Sequence, residues 1–147
     1  MIYRLALIFF VCQISNLYSQ EFTISKTDHV AYEVKDLNLV GDFFINIFKF
    51  KEIDIDNPTL RWFDVGDGFE IHLGENENAN HEKIKSNHIA FTVNNIEDFM
   101  EYLNDKEIYF ESWNGKKLQY NIRPHDKALQ IYLKDPEGNW IEVNQRQ

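Results

Sequence analysis

Two stretches of the chain alternate in the same way. TDHVAYEV (27–34) sets Val30, Tyr32 and Val34 on one face of an extended strand and His29, Ala31 and Glu33 on the other. SNHIAFTV (86–93) sets Ile89, Phe91 and Val93 opposite His88, Ala90 and Thr92. Behind each strand the period changes to that of a helix. Asp36 is placed to cap a helix with Leu37, Val40, Phe44 and Ile47 on its apolar stripe, and Asn94 or Asn95 to cap one carrying Ile96, Phe99, Met100 and Leu103. Three short strands are predicted to follow each helix. In the first half they lie near 50–55, 60–65 and 69–73, with turns at Asn57-Pro58 and Gly66-Asp67-Gly68. In the second they lie near 108–110, 129–133 and 140–143, and the last turn is Asp135-Pro136-Glu137-Gly138. The stretch 111–127 has no clear period, and QYNIR within it suggests an irregular strand.

The order strand, helix, strands therefore occurs twice, and the two ends match as well. GFEIHL (68–73) and GNWIEV (138–143) each begin at a turn glycine and carry, four residues on, His72 and Glu142. Strand parity puts His72 with Glu70, opposite Phe69, Ile71 and Leu73. It puts Glu142 with Trp140 and Asn144, opposite Ile141 and Val143. His29, His72, His88 and Glu142 thus occupy the sheet face that the helices leave free.

Three imidazoles and a carboxylate on one face suit a divalent transition metal. Nitrogen and oxygen donors serve Zn, Ni, Co, Mn and Fe alike, and no thiolate is present to close a structural zinc site. Open coordination positions would permit Lewis-acid chemistry on a small oxygen-containing substrate. A lone strand-face histidine is more often a surface or hydrogen-bonding residue. Four such residues at repeat-equivalent positions with one parity shift the balance towards ligation. His81 and His125 have no repeat partner and are expected in solvated loops, with His125 near enough to the cleft mouth to touch it. By parity Trp62, Tyr132 and Trp140 should line the cleft, with Trp113 on a nearby loop.

Composition narrows the setting. Residues 1–19 run from Arg4 through the apolar Leu5–Cys12 to polar and small residues ending at Ser19, the build of a secretory signal peptide. The expected organisation is a leader over 1–19 and a single domain over 20–147, made of modules at about 25–75 and 86–145. Loss of the leader removes Arg4 and no acid, moving the formal charge from −9 to −10. Such a surface disfavours nucleic acid and anionic membranes as partners. Cys12 is the only cysteine and leaves with the leader, so an exported domain must rely on its apolar core rather than on disulfides.

The motifs DHVAYEV, NHIAFTV and QIYLKDPEGNWIEV resemble the vicinal oxygen chelate superfamily, which includes glyoxalase I, fosfomycin and bleomycin resistance proteins, and extradiol dioxygenases. The resemblance spans about residues 25–145. It implies an α+β fold of paired βαβββ modules, their curved mixed sheet wrapped around a metal cleft, with ligand slots at His29, His72, His88 and Glu142. It also implies a homodimer, in some members with each site shared between two chains. One position departs from glyoxalase I, where a carboxylate usually occupies the slot of His72; Glu70, on the same face, is the carboxylate that could compensate. The implied activity is metal-dependent isomerase or lyase chemistry, with Glu142 or Glu70 handling protons and ring-cleaving oxygenation a lesser variant. An exported enzyme would meet little of the cytosolic glutathione adduct on which glyoxalase I acts. The alternative is a non-catalytic small-molecule binding or sequestration protein of the bleomycin-resistance type.

Overall fold

The computed structural model describes residues 24–146; the expected leader lies outside the described residues. The first module runs β1 (His29–Val34), α1 (Leu37–Phe43) with a π-helical continuation (Phe44–Phe48), β2 (Lys51–Ile53), β3 (Leu60–Gly66) and β4 (Phe69–Glu75). The second runs β5 (His88–Thr92), α2 (Ile96–Asp105), β6 (Phe110–Glu111), β7 (Asn121–Ile122), β8 (Leu129–Lys134) and β9 (Trp140–Gln145). The sheets are ordered β1-β4-β3-β2 and β5-β9-β8-β6, with β7 also paired to β8. In each the first strand lies parallel to the last, so the helix makes the crossover, and the remaining pairings are antiparallel.

The repeat holds at the level of register. Ala31 pairs with His72 and Ala90 with Glu142. Trp62 pairs with His72 and Tyr132 with Glu142. His72 and Glu142 are therefore equivalent positions, as are Trp62 and Tyr132.

Both helices begin where the caps predict. The Asp36 carboxylate accepts from Leu39 N at 2.9 Å, and Asn95 Oδ1 accepts from Glu97 N at 3.0 Å and Asp98 N at 3.3 Å. Each cap contributes about 1 kcal/mol by satisfying backbone donors that the first turn leaves free. Val34, Val40, Phe44, Phe63, Ile71 and Leu73 from the first module join Ile96, Leu103, Phe110, Ile131, Leu133 and Ile141 from the second in one buried core. Each such side chain contributes roughly 1.5–3 kcal/mol by leaving water. Phe48 joins the modules, its ring centroid 5.2 Å from Phe91 and 5.9 Å from Phe99. The turn before β9 adds a polar tie, because Glu137 Oε1 accepts from Lys35 N and Asp36 N at the start of α1.

Two strands differ from expectation. β2 stops at Ile53 rather than reaching residue 55, ahead of a turn in which Asn57 Oδ1 binds Thr59 N and Pro58 has no N–H to offer. β6 starts only at Phe110, because Glu107 adopts φ 56° and Ile108 N returns to Leu103 O to close α2.

Candidate functional site

The four metal-ligand-type residues fall into two pairs. Among the described residues, no three His, Cys, Asp or Glu side chains converge closely enough to hold one ion. His29 and His72 form one pair on the first sheet; His88 and Glu142 form the other on the second.

In the second pair, His88 Nε2 lies 3.2 Å from Glu142 Oε2. His88 Nδ1 is 2.6 Å from the carbonyl oxygen of Lys85. A carbonyl only accepts, so Nδ1 carries the proton, and in the neutral ring Nε2 turns a lone pair towards a carboxylate oxygen. Two acceptors at that distance repel unless a cation or a second proton lies between them. Orientation through the second ring nitrogen is the usual support for a metal-binding imidazole. The Glu142 side chain is almost wholly buried, and its neighbours hold it firmly. Tyr132 OH donates to Oε2 at 2.6 Å; Asn144 Nδ2 and Arg123 Nη1 donate to Oε1 at 2.8 and 3.2 Å. Burial pushes the carboxyl pKa up, but the donors from Tyr132 and Asn144 and the neighbouring His88 together hold it below its ordinary value. The Tyr132 hydroxyl moves the other way: burial, then its hydrogen bond to Glu142, raises its pKa above the ordinary value.

The first pair is built by stacking. The His72 ring lies between Trp62, 3.8 Å away centroid to centroid and 9° from parallel, and His29, at 4.2 Å and 15°. His72 Nε2 is 2.7 Å from Glu70 Oε2, and His29 Nδ1 is 2.9 Å from Asp28 Oδ2. Nδ1 of His72 and Nε2 of His29 are thus the nitrogens left for a ligand. The donor types fit a divalent ion at both pairs.

His29 and His88 line a common cleft of about 510 Å³ with Trp140, while His72 and Trp62 border another of about 410 Å³. Of the expected cleft wall, Trp62 is spent on His72. Trp140 is flanked by the ammonium groups of Lys85 and Lys134, 4.7 and 4.5 Å from its ring centroid. Tyr132 is buried, and its hydroxyl belongs to Glu142. His81 is exposed in a loop, as expected, at the edge of the larger cleft and 2.9 Å from Glu33 O. His125 is exposed; its neighbour Arg123 is the residue of that turn that reaches Glu142. Parity on β8 and β9 places Gln130 and Asn144 on the face of Tyr132 and Glu142, so their closeness follows from alternation. Arg123 and Lys85 carry no sequence signal of that kind.

Paired βαβββ modules, with imidazole and carboxylate donors on the face away from the helices, define the class of protein. The chain belongs to the Glyoxalase/Bleomycin resistance protein/Dioxygenase superfamily, whose model matches residues 26–143. Among solved structures it is similar to a glyoxalase family protein from Bacillus anthracis, 24% identical over 86% of this chain and 99% of that one, TM-score 0.68. It is also similar to a genomically encoded fosfomycin resistance protein from Listeria monocytogenes (23% identical, 85% and 96% covered, TM-score 0.66). A lactoylglutathione lyase from Agrobacterium tumefaciens is 19% identical, with 83% and 94% covered and a TM-score of 0.63. At these identities the structures establish the fold. No curated protein sequence matches the chain.

Proposed function

We propose that this is an exported, metal-dependent enzyme of isomerase or lyase type that acts on a small organic substrate with neighbouring oxygens. The observation that carries the reading is the His88–Glu142 pair, whose facing nitrogen and carboxylate oxygen, 3.2 Å apart, suit a cation between them, with a second proton on His88 as the competing occupant. His29, His72, His88 and Glu142 would hold the ion, which when bound supplies Lewis acidity towards the substrate oxygens. The chain's own residues do the rest. Lys85 O fixes the His88 tautomer, and Tyr132 and Asn144 fix the Glu142 rotamer. Glu70, more open than Glu142 and in contact with His72, takes a proton from substrate carbon and returns it to the adjacent carbon. Export rests on the sequence of residues 1–19.

The donors stand in separate pairs on separate sheets, which favours a homodimer in which His29 and His72 of one chain meet His88 and Glu142 of its partner. Elemental analysis of the gently purified mature protein, with His88→Ala beside it, tests the metal. Near-stoichiometric ion that is lost in the variant supports the reading. No ion in either, even after reconstitution, sinks it. Co-expressing His72→Ala with Glu142→Ala tests the sharing: heterodimers should regain one intact site if the site is shared, and none if each chain builds its own.

A second reading, a non-catalytic small-molecule binding protein, is favoured by one observation. The Trp62–His72–His29 stack commits His72 Nε2 to Glu70 and resembles a platform for a flat ligand more than a ligand set. It requires His88→Ala to leave small-molecule affinity unchanged.

A further inference from the structure

A circuit of hydrogen bonds leaves the His88–Glu142 pair, passes through a loop, and returns. Tyr132 OH donates to Glu142 Oε2 at 2.6 Å, and Gln130 Nε2 donates to Tyr132 OH at 3.0 Å. Asn121 Nδ2 donates to Gln130 Oε1 at 3.0 Å, and Trp113 N donates to Asn121 Oδ1 at 2.7 Å. Lys85 Nζ donates to Trp113 O at 3.1 Å, and His88 Nδ1 donates to Lys85 O at 2.6 Å. The link that closes the ring is His88 Nε2 to Glu142 Oε2, where a neutral imidazole and a carboxylate bring no proton between them.

Both amides are used at both ends. Flipping Gln130 would set its NH₂ against the NH₂ of Asn121, and flipping Asn121 would set its NH₂ against the N–H of Trp113. The circuit therefore has one self-consistent orientation, and it delivers a donor to Glu142. Gln130, Tyr132 and Glu142 are buried, so a broken link cannot be replaced by bulk water. Trp113 is the exposed end of the circuit. The residue is 46% exposed and its ring meets the Tyr132 ring edge-on at 5.4 Å, so it offers an aromatic face beside the pair.

We propose that Gln130 and Asn121 are positioning residues that tie the order of the Trp113 segment to occupancy of the His88–Glu142 pair, so that an ion held there also fixes Trp113 as an aromatic wall for substrate. The inference rests on the metalloenzyme reading and adds a specificity element to it: a substrate with a planar or apolar portion beside its chelating oxygens.

The test follows the Trp113 amide by NMR hydrogen exchange while Zn²⁺ is titrated into the full protein, with Zn²⁺ affinity measured in parallel. In the wild type, Zn²⁺ should slow Trp113 exchange. Gln130→Leu should weaken Zn²⁺ binding by about ten-fold, the usual effect of losing an outer-shell partner, and abolish the Zn²⁺-dependent slowing. Asn121→Ala breaks the circuit at a less buried point and serves should Gln130→Leu fail to fold. It should leave Trp113 exchange insensitive to Zn²⁺. A merely structural role for these amides predicts faster exchange that still responds to Zn²⁺, which would overturn the inference. So would Zn²⁺ binding to the wild type with Trp113 exchange unaltered. A wild type that takes up no divalent ion would instead overturn the metalloenzyme reading and this inference together.

Discussion

The two modules place equivalent residues at equivalent registers and then treat them differently. His72 and Trp62 in the first correspond to Glu142 and Tyr132 in the second. His72 and Trp62 stay partly open and stack, whereas Glu142 and Tyr132 are buried and hydrogen-bonded. One connection accompanies the difference. Between β2 and β3 the chain spends six residues, 54–59; between β6 and β8 it spends seventeen, 112–128. The longer connection folds back as β7, bringing Asn121 and Arg123 to the buried face and hanging Trp113 over Tyr132. An imidazole can share a stack with its neighbours and leave its edges to water. A carboxylate removed from water must be given donors: Tyr132 on β8 and Asn144 on β9 supply two, and the longer connection adds Arg123 and braces Tyr132 through Asn121 and Gln130. The repeat thus builds the frame twice; donors on β8 and β9, braced by the longer connection, make one half a buried, pre-oriented carboxylate site, and the other is an open aromatic one.

Removing the central acceptor should break this contrast most severely. Glu142→Ala leaves the Tyr132 hydroxyl, the Asn144 amide and Arg123 without their shared partner in a buried site. Loss of one member of such a network typically costs 3–5 kcal/mol. His72→Ala removes a ring from a partly open stack and should cost about 1 kcal/mol. Urea unfolding of both variants measures the difference, and equal losses would show that the modules are alike after all.

Tyr132→Phe against Trp62→Phe repeats the comparison one layer out. The first removes the donor to Glu142 and leaves Gln130 Nε2 unpaired, at about 1–3 kcal/mol. The second shrinks a stacking ring, at about 0.5–1.5 kcal/mol.

Acid should find the second module first. The folded Glu142 carboxyl lies below its ordinary value of 4.5, so the unfolded chain binds its proton more readily than the native one. The stabilisation is fully present above the unfolded value, falls away as pH drops through the folded one, and is absent below both. Stability measured from pH 6 downward should therefore decline more steeply in the wild type than in Glu142→Gln. Parallel curves would assign the acid sensitivity elsewhere.

Much of this frame was visible in the pattern of residues. Alternation in TDHVAYEV and SNHIAFTV, capping at Asp36 and Asn95, and the paired glycine turns each follow from contacts within a few residues, and those elements stand where expected. Parity likewise put His29, His72, His88 and Glu142 on the faces opposite Val30, Ile71, Ile89 and Ile141. Parity assigns a face and a row, however, not a separation across space, so it could not foresee that the four would stand as two pairs. The cleft-wall role expected of Tyr132 fell short for a related reason. What covers a sheet face is decided by non-local chain, here residues 112–128, whose aperiodic sequence gives no element strong enough to anticipate. Lys85 acts through its backbone carbonyl as well as its ammonium group, and a backbone contact leaves no mark on residue type.

The smallest effect should come from Arg123, and it sharpens the comparison by separating cover from support. The guanidinium is held mainly by Asp126, through Nε–Oδ1 and Nη2–Oδ2 contacts of 2.7 Å each, and reaches Glu142 Oε1 with Nη1 at 3.2 Å. It is partly open to solvent, so its contact with Glu142 is screened and contributes at most about 1 kcal/mol. Glu142 Oε1 also keeps the shorter bond from Asn144. Arg123→Gln should therefore shift the urea midpoint less than Tyr132→Phe does and leave the Trp113 amide protected. A loss as large as that of Tyr132→Phe would mean that the carboxylate depends on the charge of the added connection, not on the neutral donors of β8 and β9, and the second module would owe its buried site to electrostatics instead of hydrogen-bond geometry.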